Sequence, residues 1–196
     1  MFSGIIQATA PILSADKHGE CRVVRIQKPR GWKLADGQSV AIDGICSTVT
    51  KHAAGFFEVE YMSETLGKTT AGAFAEKRMV NLERSLTLNS FVDGHLVQGH
   101  IDARGRIKRI VDAEHTRLLT IALPLRLMKC VALHGSIAVN GVSLTVARLH
   151  QSSFAIALIP HTLANTNLGV IAKGDKVNVE TDMIARYLDA LRSKKI

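Results

Sequence analysis

Ser39-Val40-Ala41-Ile42-Asp43-Gly44-Ile45-Cys46-Ser47-Thr48-Val49 reads as two short apolar runs joined by a two-residue turn. Asp-Gly at the joint suits the left-handed backbone of a tight turn and is among the strongest local hairpin signals. The pattern returns as Ser136-Ile137-Ala138-Val139-Asn140-Gly141-Val142-Ser143-Leu144-Thr145-Val146. Gly44 and Gly141 stand 97 positions apart, and that register holds without a gap from Asp36 against Leu133 to Arg84 against Thr181. Within it Ser39, Ala41, Gly44, Thr48, Val49, Phe57, Thr65, Leu66, Thr69, Gly72, Ala75, Val80, Asn81 and Glu83 each meet their own kind in the second copy. Average usage gives about three such matches by chance. Phe2-Ser3-Gly4-Ile5-Ile6 is echoed by Val97-Gln98-Gly99-His100-Ile101 at a register of 95, so a two-residue difference sits in the loops between.

Two copies of this length fit two similar domains, and the period is too long for a solenoid or a propeller blade. Residues 1–92 form the first expected domain, 93–182 the second, and 183–196 a tail. Residues 1–12, Cys21–Ile26, both arms of the hairpin, Phe56–Met62 and Met79–Glu83 read as strands of the first half. Ser63-Glu64-Thr65-Leu66 resembles a shortened capping box that starts a helical turn. After a polar connector from about Arg84 to Asp93, strands repeat from Gly94–Asp102 through Leu118–Leu123, the second hairpin, Phe154–Pro160 and Val177–Glu180. Six short strands per half favour an all-β fold of two tandem six-stranded barrels, since closure removes exposed edges. In the tail, Ile184, Tyr187, Leu188 and Leu191 form one apolar stripe at helical spacing, read here as a surface for subunit assembly.

The chain has 196 residues, is 46% hydrophobic and carries a formal charge of +8. Its basic residues are dispersed apart from small clusters at Arg104-Gly105-Arg106-Ile107-Lys108-Arg109 and Lys194-Lys195, and one Trp, two Tyr and six Phe give little stacking surface. That argues against nucleic acid as a partner and for small anionic ligands. Cys21, Cys46 and Cys130 are odd in number and widely spaced, which argues against a disulfide framework and against a CxxC metal site. The N-terminus enters a strand pattern at once, without the charged and long apolar regions of a signal peptide, and no run approaches a membrane span. A cytoplasmic protein is expected.

Cys46 and Ser143 occupy equivalent places after the two turns, so pseudo-symmetry puts two nucleophile-class side chains at equivalent faces. A lone Cys there is also compatible with a small buried hydrophobe. His100 follows Gly99 and suits a base or a hydrogen-bond donor to a ligand, while a structural histidine at a strand end fits equally. HExxH, P-loop and GxGxxG patterns do not occur.

Taken in order, these motifs resemble the riboflavin synthase family. The resemblance rests on Met1–Ile5, Asp43–Val49, Glu64–Leu66, Val80–Arg84, Gly94–Asp102, Gly141–Val146, Ile159–Leu163 and Val177–Glu180, and covers nearly the whole chain. It implies a trimer of chains with two Greek-key barrels each, held by the C-terminal helix, that converts two molecules of 6,7-dimethyl-8-ribityllumazine into riboflavin and a ribitylaminouracil. It further implies a transferase that needs no metal or redox cofactor, and association with lumazine synthase. By position, one lumazine would lie on Gly4, Ile5, Ile6, Cys46, Ser47, Thr48, Glu60, Met62, Glu64 and Thr65. The second would lie on Gly99, His100, Ile101, His134, Ser143, Leu144, Thr145, Leu158, Ile159, Pro160, His161, Thr162 and Leu163. His100 is the implied acid/base, Cys46 and Ser143 the nucleophiles or polarising partners, and Ser39 and Asp182 flank the site.

Three positions depart from the family pattern: Ser47 in place of Leu, Asp93 in place of the first Gly of Gly-Gly-His, and His134 in place of a Lys. If that Lys orients the ring, His134 would do so only when protonated, and activity would depend on pH through the histidine range. The main alternative is a non-catalytic lumazine- or flavin-binding antenna protein, whose second barrel decays. Here the second barrel retains its motifs, which favours the enzyme. A nucleic-acid-binding barrel is the remaining alternative, supported only by net charge.

Overall fold

A computed structural model of the chain describes residues 1–114 and 116–193; Lys194-Lys195 and the end of the tail lie outside the described residues. Both turns form as read. Asp43 and Gly44 have φ of 47° and 78°, Asn140 and Gly141 of 46° and 80°, so each hairpin is closed by two left-handed residues.

The first half contains β1 (Ala8–His18), β2 (Cys21–Gln27), β3 (Ser39–Ile42), β4 (Ile45–His52), β5 (Phe56–Tyr61) and β6 (Met79–Arg84). They close into an antiparallel barrel in the order β1-β2-β5-β4-β3-β6. The second half contains β7 (Ala103–Ala113), β8 (Thr116–Ala122), β9 (Ser136–Val139), β10 (Val142–His150), β11 (Ser153–Leu158) and β12 (Lys176–Thr181), closed in the equivalent order. The starts of β3 to β6 lie 97 residues before those of β9 to β12, and those of β1 and β2 lie 95 before those of β7 and β8. The two extra residues therefore sit between β8 and β9, where the short helix α2 (Leu125–Met128) has no counterpart.

Inward-facing β-branched and aromatic residues fill each barrel. One core centres on Phe57, Val59, Ile26 and Leu82, the other on Phe154, Ile156, Ile121 and Val179, all fully buried. Truncating either Phe to Ala in such a core costs about 3–5 kcal/mol. Helix α1 (Ser63–Lys68) forms where expected, but its cap is the Met62 backbone and no side chain caps it. The strand expected over Phe154–Pro160 stops at Leu158. Pro160 instead opens α3 (Pro160–Asn165), because its fixed φ suits the first helical turn and its missing N–H costs nothing there.

The strand expected over residues 1–12 is also corrected. It begins only at Ala8, and the preceding segment crosses to the other half. Phe2 pairs antiparallel with Val97, exchanging hydrogen bonds of 2.7 and 3.0 Å, and the equivalent segment before β7 behaves likewise. Ile6 packs on the second core and Ile101 belongs to the first.

Between the barrels the two turns meet back to back. A Cβ on Gly44 would stand 2.6 Å from Gly141 N, so only glycine permits the approach. Asn81 Nδ2 donates to Asn140 O, and Asn178 Nδ2 donates to Asp43 O, each at 2.9 Å. Asn81 and Asn178 thus stitch the halves across their pseudo-two-fold axis. Helix α4 (Met183–Ser193) follows β12, with Ile184, Tyr187, Leu188 and Leu191 all more than 60% exposed, so the apolar stripe has no partner among the described residues. No helix among the described residues is long and apolar enough to cross a membrane.

Candidate active site

Alternation along β4 separates packing from chemistry. Ile45, Ser47 and Val49 are buried in the barrel, while Cys46 and Thr48 face outward. Ser47 Oγ lies 2.8 Å from Tyr61 Oη and donates to Ile45 O, so this departure from the family pattern is an interior pair remote from the outer face. Across the ladder Ser39 faces Thr48 and Ala41 faces Cys46, which puts Ser39, Cys46 and Thr48 on one side. In β10, Ser143 is half-buried and Thr145 exposed. Leu144, Leu158 and Leu163, expected at the ligand, pack on the second core instead, Leu158 being fully buried there.

A glycine from the other half closes over each reactive side chain. Cys46 N donates to Gly99 O at 2.9 Å, and Ser143 N donates to Gly4 O at 2.7 Å. Gly4 and Gly99 have φ of 76° and 80°, and a Cβ would lie 2.7 Å from Ser143 Cβ or 2.6 Å from Cys46 Cβ. Both the conformation and the contact require glycine.

Two carboxylates fix these loops. Glu83 accepts from Ser3 N and Ser3 Oγ at 2.7 Å and from Gly4 N at 3.0 Å. Glu180 accepts from Gln98 N and Gly99 N at 2.8 Å and from His100 N at 3.1 Å. Burial pushes both carboxyls above their ordinary range, against the pull of the same N–H groups. Arg186 of α4 reaches Gln98 Oε1 and Asp102 Oδ1, tying the tail helix to the Gly99 loop.

The expected grouping by chain order is thereby overturned. Gly4, Ile5 and Ile6 belong with Ser143, and Gly99, His100 and Ile101 with Cys46, because the leading segment of each half crosses the seam before its barrel begins.

Around Cys46 a cavity of about 280 Å³ is lined by Glu64, Thr65, Lys68, Gly99 and His100, with Ile101 at its wall. Around Ser143 the partner is His95, whose Nδ1 lies 2.7 Å from Ser143 Oγ. Burial lowers this imidazole below its ordinary 6.5, with the Asp182 charge acting in the opposite sense. A neutral imidazole bonded to a serine hydroxyl is the arrangement that lets a base take the hydroxyl proton. The segment 95–100 therefore brings one histidine to each reactive side chain.

Other expected residues are more dispersed. Asp182 Oδ1 accepts from Ile184 N at 2.8 Å and caps α4. Glu60 and Met62 are exposed, with Met62 Sδ 3.3 Å from Cys21 Sγ. Ile159, Pro160 and His161 are exposed and Thr162 half-buried at the start of α3. His134 stands exposed with φ of 63° in the turn before β9, its N–H on Val146 O. His95, Lys68, Glu83 and Glu180 were not among the expected site residues. Glu83 and Glu180 have a readable signal, since a carboxylate recurs in the last strand of both copies, on the outward face that also carries Cys46 and Ser143.

This geometry defines a class: a duplicated barrel that presents Cys46 and Ser143 at equivalent outer places, each closed over by a glycine of the other half. The family description "Lumazine binding domain" matches residues 3–85 and again 98–182. The chain is 38% identical over 196 residues to the riboflavin synthase of Actinobacillus pleuropneumoniae, covering 100% of this chain and 91% of that one. It is 38% identical over 189 residues to the riboflavin synthase of Bacillus subtilis, covering 96% and 88%. The crystal structure of LumP complexed with riboflavin shares the fold, with a TM-score of 0.86 at 24% identity over 92% of this chain and 99% of that one. The chain belongs to the riboflavin synthase family.

Proposed function

We propose that this chain is the riboflavin-forming enzyme of that family. It takes two molecules of 6,7-dimethyl-8-ribityllumazine and transfers a four-carbon unit from one to the other, giving riboflavin and 5-amino-6-(ribitylamino)uracil. The observation that carries the reading is the duplication of a built site: Cys46 under Gly99 and Ser143 under Gly4, each with a histidine at hand. A reaction between two copies of one substrate needs two such sites, and orienting the rings supplies much of the rate.

In this reading His95 accepts the Ser143 proton while the serine oxygen, or water held by it, adds to the acceptor ring. Cys46 and His100 serve the donor ring, whose acidic methyl gives up a proton to form the attacking carbanion. Thr48 and Ser39 flank Cys46, and Thr145 flanks Ser143. The exposed stripe of α4 supports a homotrimer in which the two site types on neighbouring chains face each other. Such an assembly, in the cytoplasm and next to a lumazine-supplying synthase, fits a transferase with no added cofactor.

The test is incubation of the purified chain with 6,7-dimethyl-8-ribityllumazine alone, following riboflavin by absorbance. Turnover far above the uncatalysed rate supports the enzyme. Tight binding without turnover would leave an antenna-type binding protein.

A further inference from the structure

A second cavity, of about 530 Å³, opens at the seam between the barrels and shares no lining residue with the cavity at Cys46. We infer that it is a binding site for a small phosphorylated metabolite carrying a ring, separate from the lumazine sites.

Its charge is the first argument. Arg78, Arg104 and Lys176 line it. Lys176 also stands opposite Arg106 in the β12–β7 ladder, which belongs to the basic run 104–109 that the proposed reaction does not use. Among the described residues, Arg104 and Lys176 make no ion pair, and Arg78 has only Asp43, at 3.7 Å. The one lining carboxylate, Asp175, is turned to its own loop, where Oδ2 accepts from Ala172 N at 2.8 Å. Three cations converging on a concave surface with so little local compensation form an anion site, and phosphate suits them best.

Its shape is the second argument. Met79, Val170 and Ile171 give the cavity an apolar wall, Val170 being 84% exposed and Met79 42%. The volume lies within the range of small-molecule sites. The floor is pre-organised: Asn140 Nδ2 donates to Asn167 Oδ1 and Asn167 Nδ2 donates to Asp43 Oδ1, so binding requires no rearrangement of the seam. An apolar wall beside a cationic rim matches a ring joined to a phosphate.

The probe is adenosine 5′-diphosphate, titrated calorimetrically into the intact protein without magnesium at about 0.1 M salt. Submillimolar binding is expected. The double variant Arg104→Ala/Lys176→Ala should weaken it about tenfold, the effect of losing two largely exposed charge-assisted contacts. A charge-matched control, Lys17→Ala/Lys33→Ala, should change it less than about twofold, the residue of screened long-range charge. Saturating riboflavin should leave it unchanged. No binding, equal weakening in both double variants, or displacement by riboflavin would each overturn the proposal, the last by assigning the probe to the lumazine sites. Unaltered thermal unfolding of the variants separates loss of the site from loss of the fold.

Discussion

Asp43→Asn should stabilise this protein, and more so as pH rises. Asp43 is fully buried at the seam, and its Oδ2 has no hydrogen-bond partner. Desolvation raises its carboxyl from 3.8 to about 6, even after Asn81, Arg78 and Asn167 favour the anion. A raised carboxyl binds its proton more tightly in the folded than in the unfolded chain, so ionisation works against folding. The cost is absent below the unfolded value, grows as pH rises through the window between the two, and is complete above the folded value. A shift of this size corresponds to about 3 kcal/mol when complete, and the cost grows by about 2 kcal/mol between pH 4.5 and pH 8. The second copy holds Asn140 at the same place, with its Oδ1 accepting from Asn178 N at 2.8 Å as Asp43 Oδ1 accepts from Asn81 N. The geometry therefore accepts the amide. Urea unfolding of both proteins at pH 4.5 and pH 8, at one protein concentration, measures the difference. Any pH-independent cost of burying the unpaired amide cancels between the two pH values. The advantage of Asn should widen by about 2 kcal/mol over that interval. A pH-independent difference, or one that narrows, would show that the buried Asp43 carboxylate does not oppose folding.

The site and helix α4 give further expected outcomes. Gly99→Ala forces a Cβ to 2.6 Å from Cys46 Cβ at a left-handed φ, and should cost about 2 kcal/mol or more in unfolding free energy; an unchanged midpoint would contradict the contact. His95→Gln should lower the turnover of lumazine by about 100-fold or more. Because burial holds His95 below 6.5, the acid limb of the wild-type pH–rate profile should fall below that value, and a midpoint at or above it would exclude His95 as the base. Leu188→Asp/Leu191→Asp should convert a trimer to monomers by light scattering, and persistence of the trimer would remove α4 from the interface.

Most of the architecture was written in the repeat. The 97-residue register carried four strands, a helix and the seam asparagines from one half to the other, because hairpin turns and inward-facing apolar alternation are local signals. The crossing of residues 2–6 and 97–101 was not legible. It depends on which barrel mouth each glycine meets, a non-local contact that leaves the same alternating pattern whichever side is chosen. The same limit hides the role of His95. Gly94-His95-Leu96 and Gly99-His100-Ile101 read alike in sequence, and only the folded seam brings His95 Nδ1 to the serine. Ser47 and Leu144 show the reverse: a strand turns the neighbour of a reactive residue to the opposite face.

In the proposed reading each chain carries two lumazine sites, one made by Gly99 over Cys46 and one by Gly4 over Ser143. Equilibrium titration with riboflavin, a non-reacting ligand under these conditions, counts them by fluorescence quenching. Two sites per chain are expected, with Gly99→Ala removing one and Gly4→Ala removing the other. One site in the unmodified protein, or loss of both sites in a variant that still unfolds cooperatively, would contradict the account.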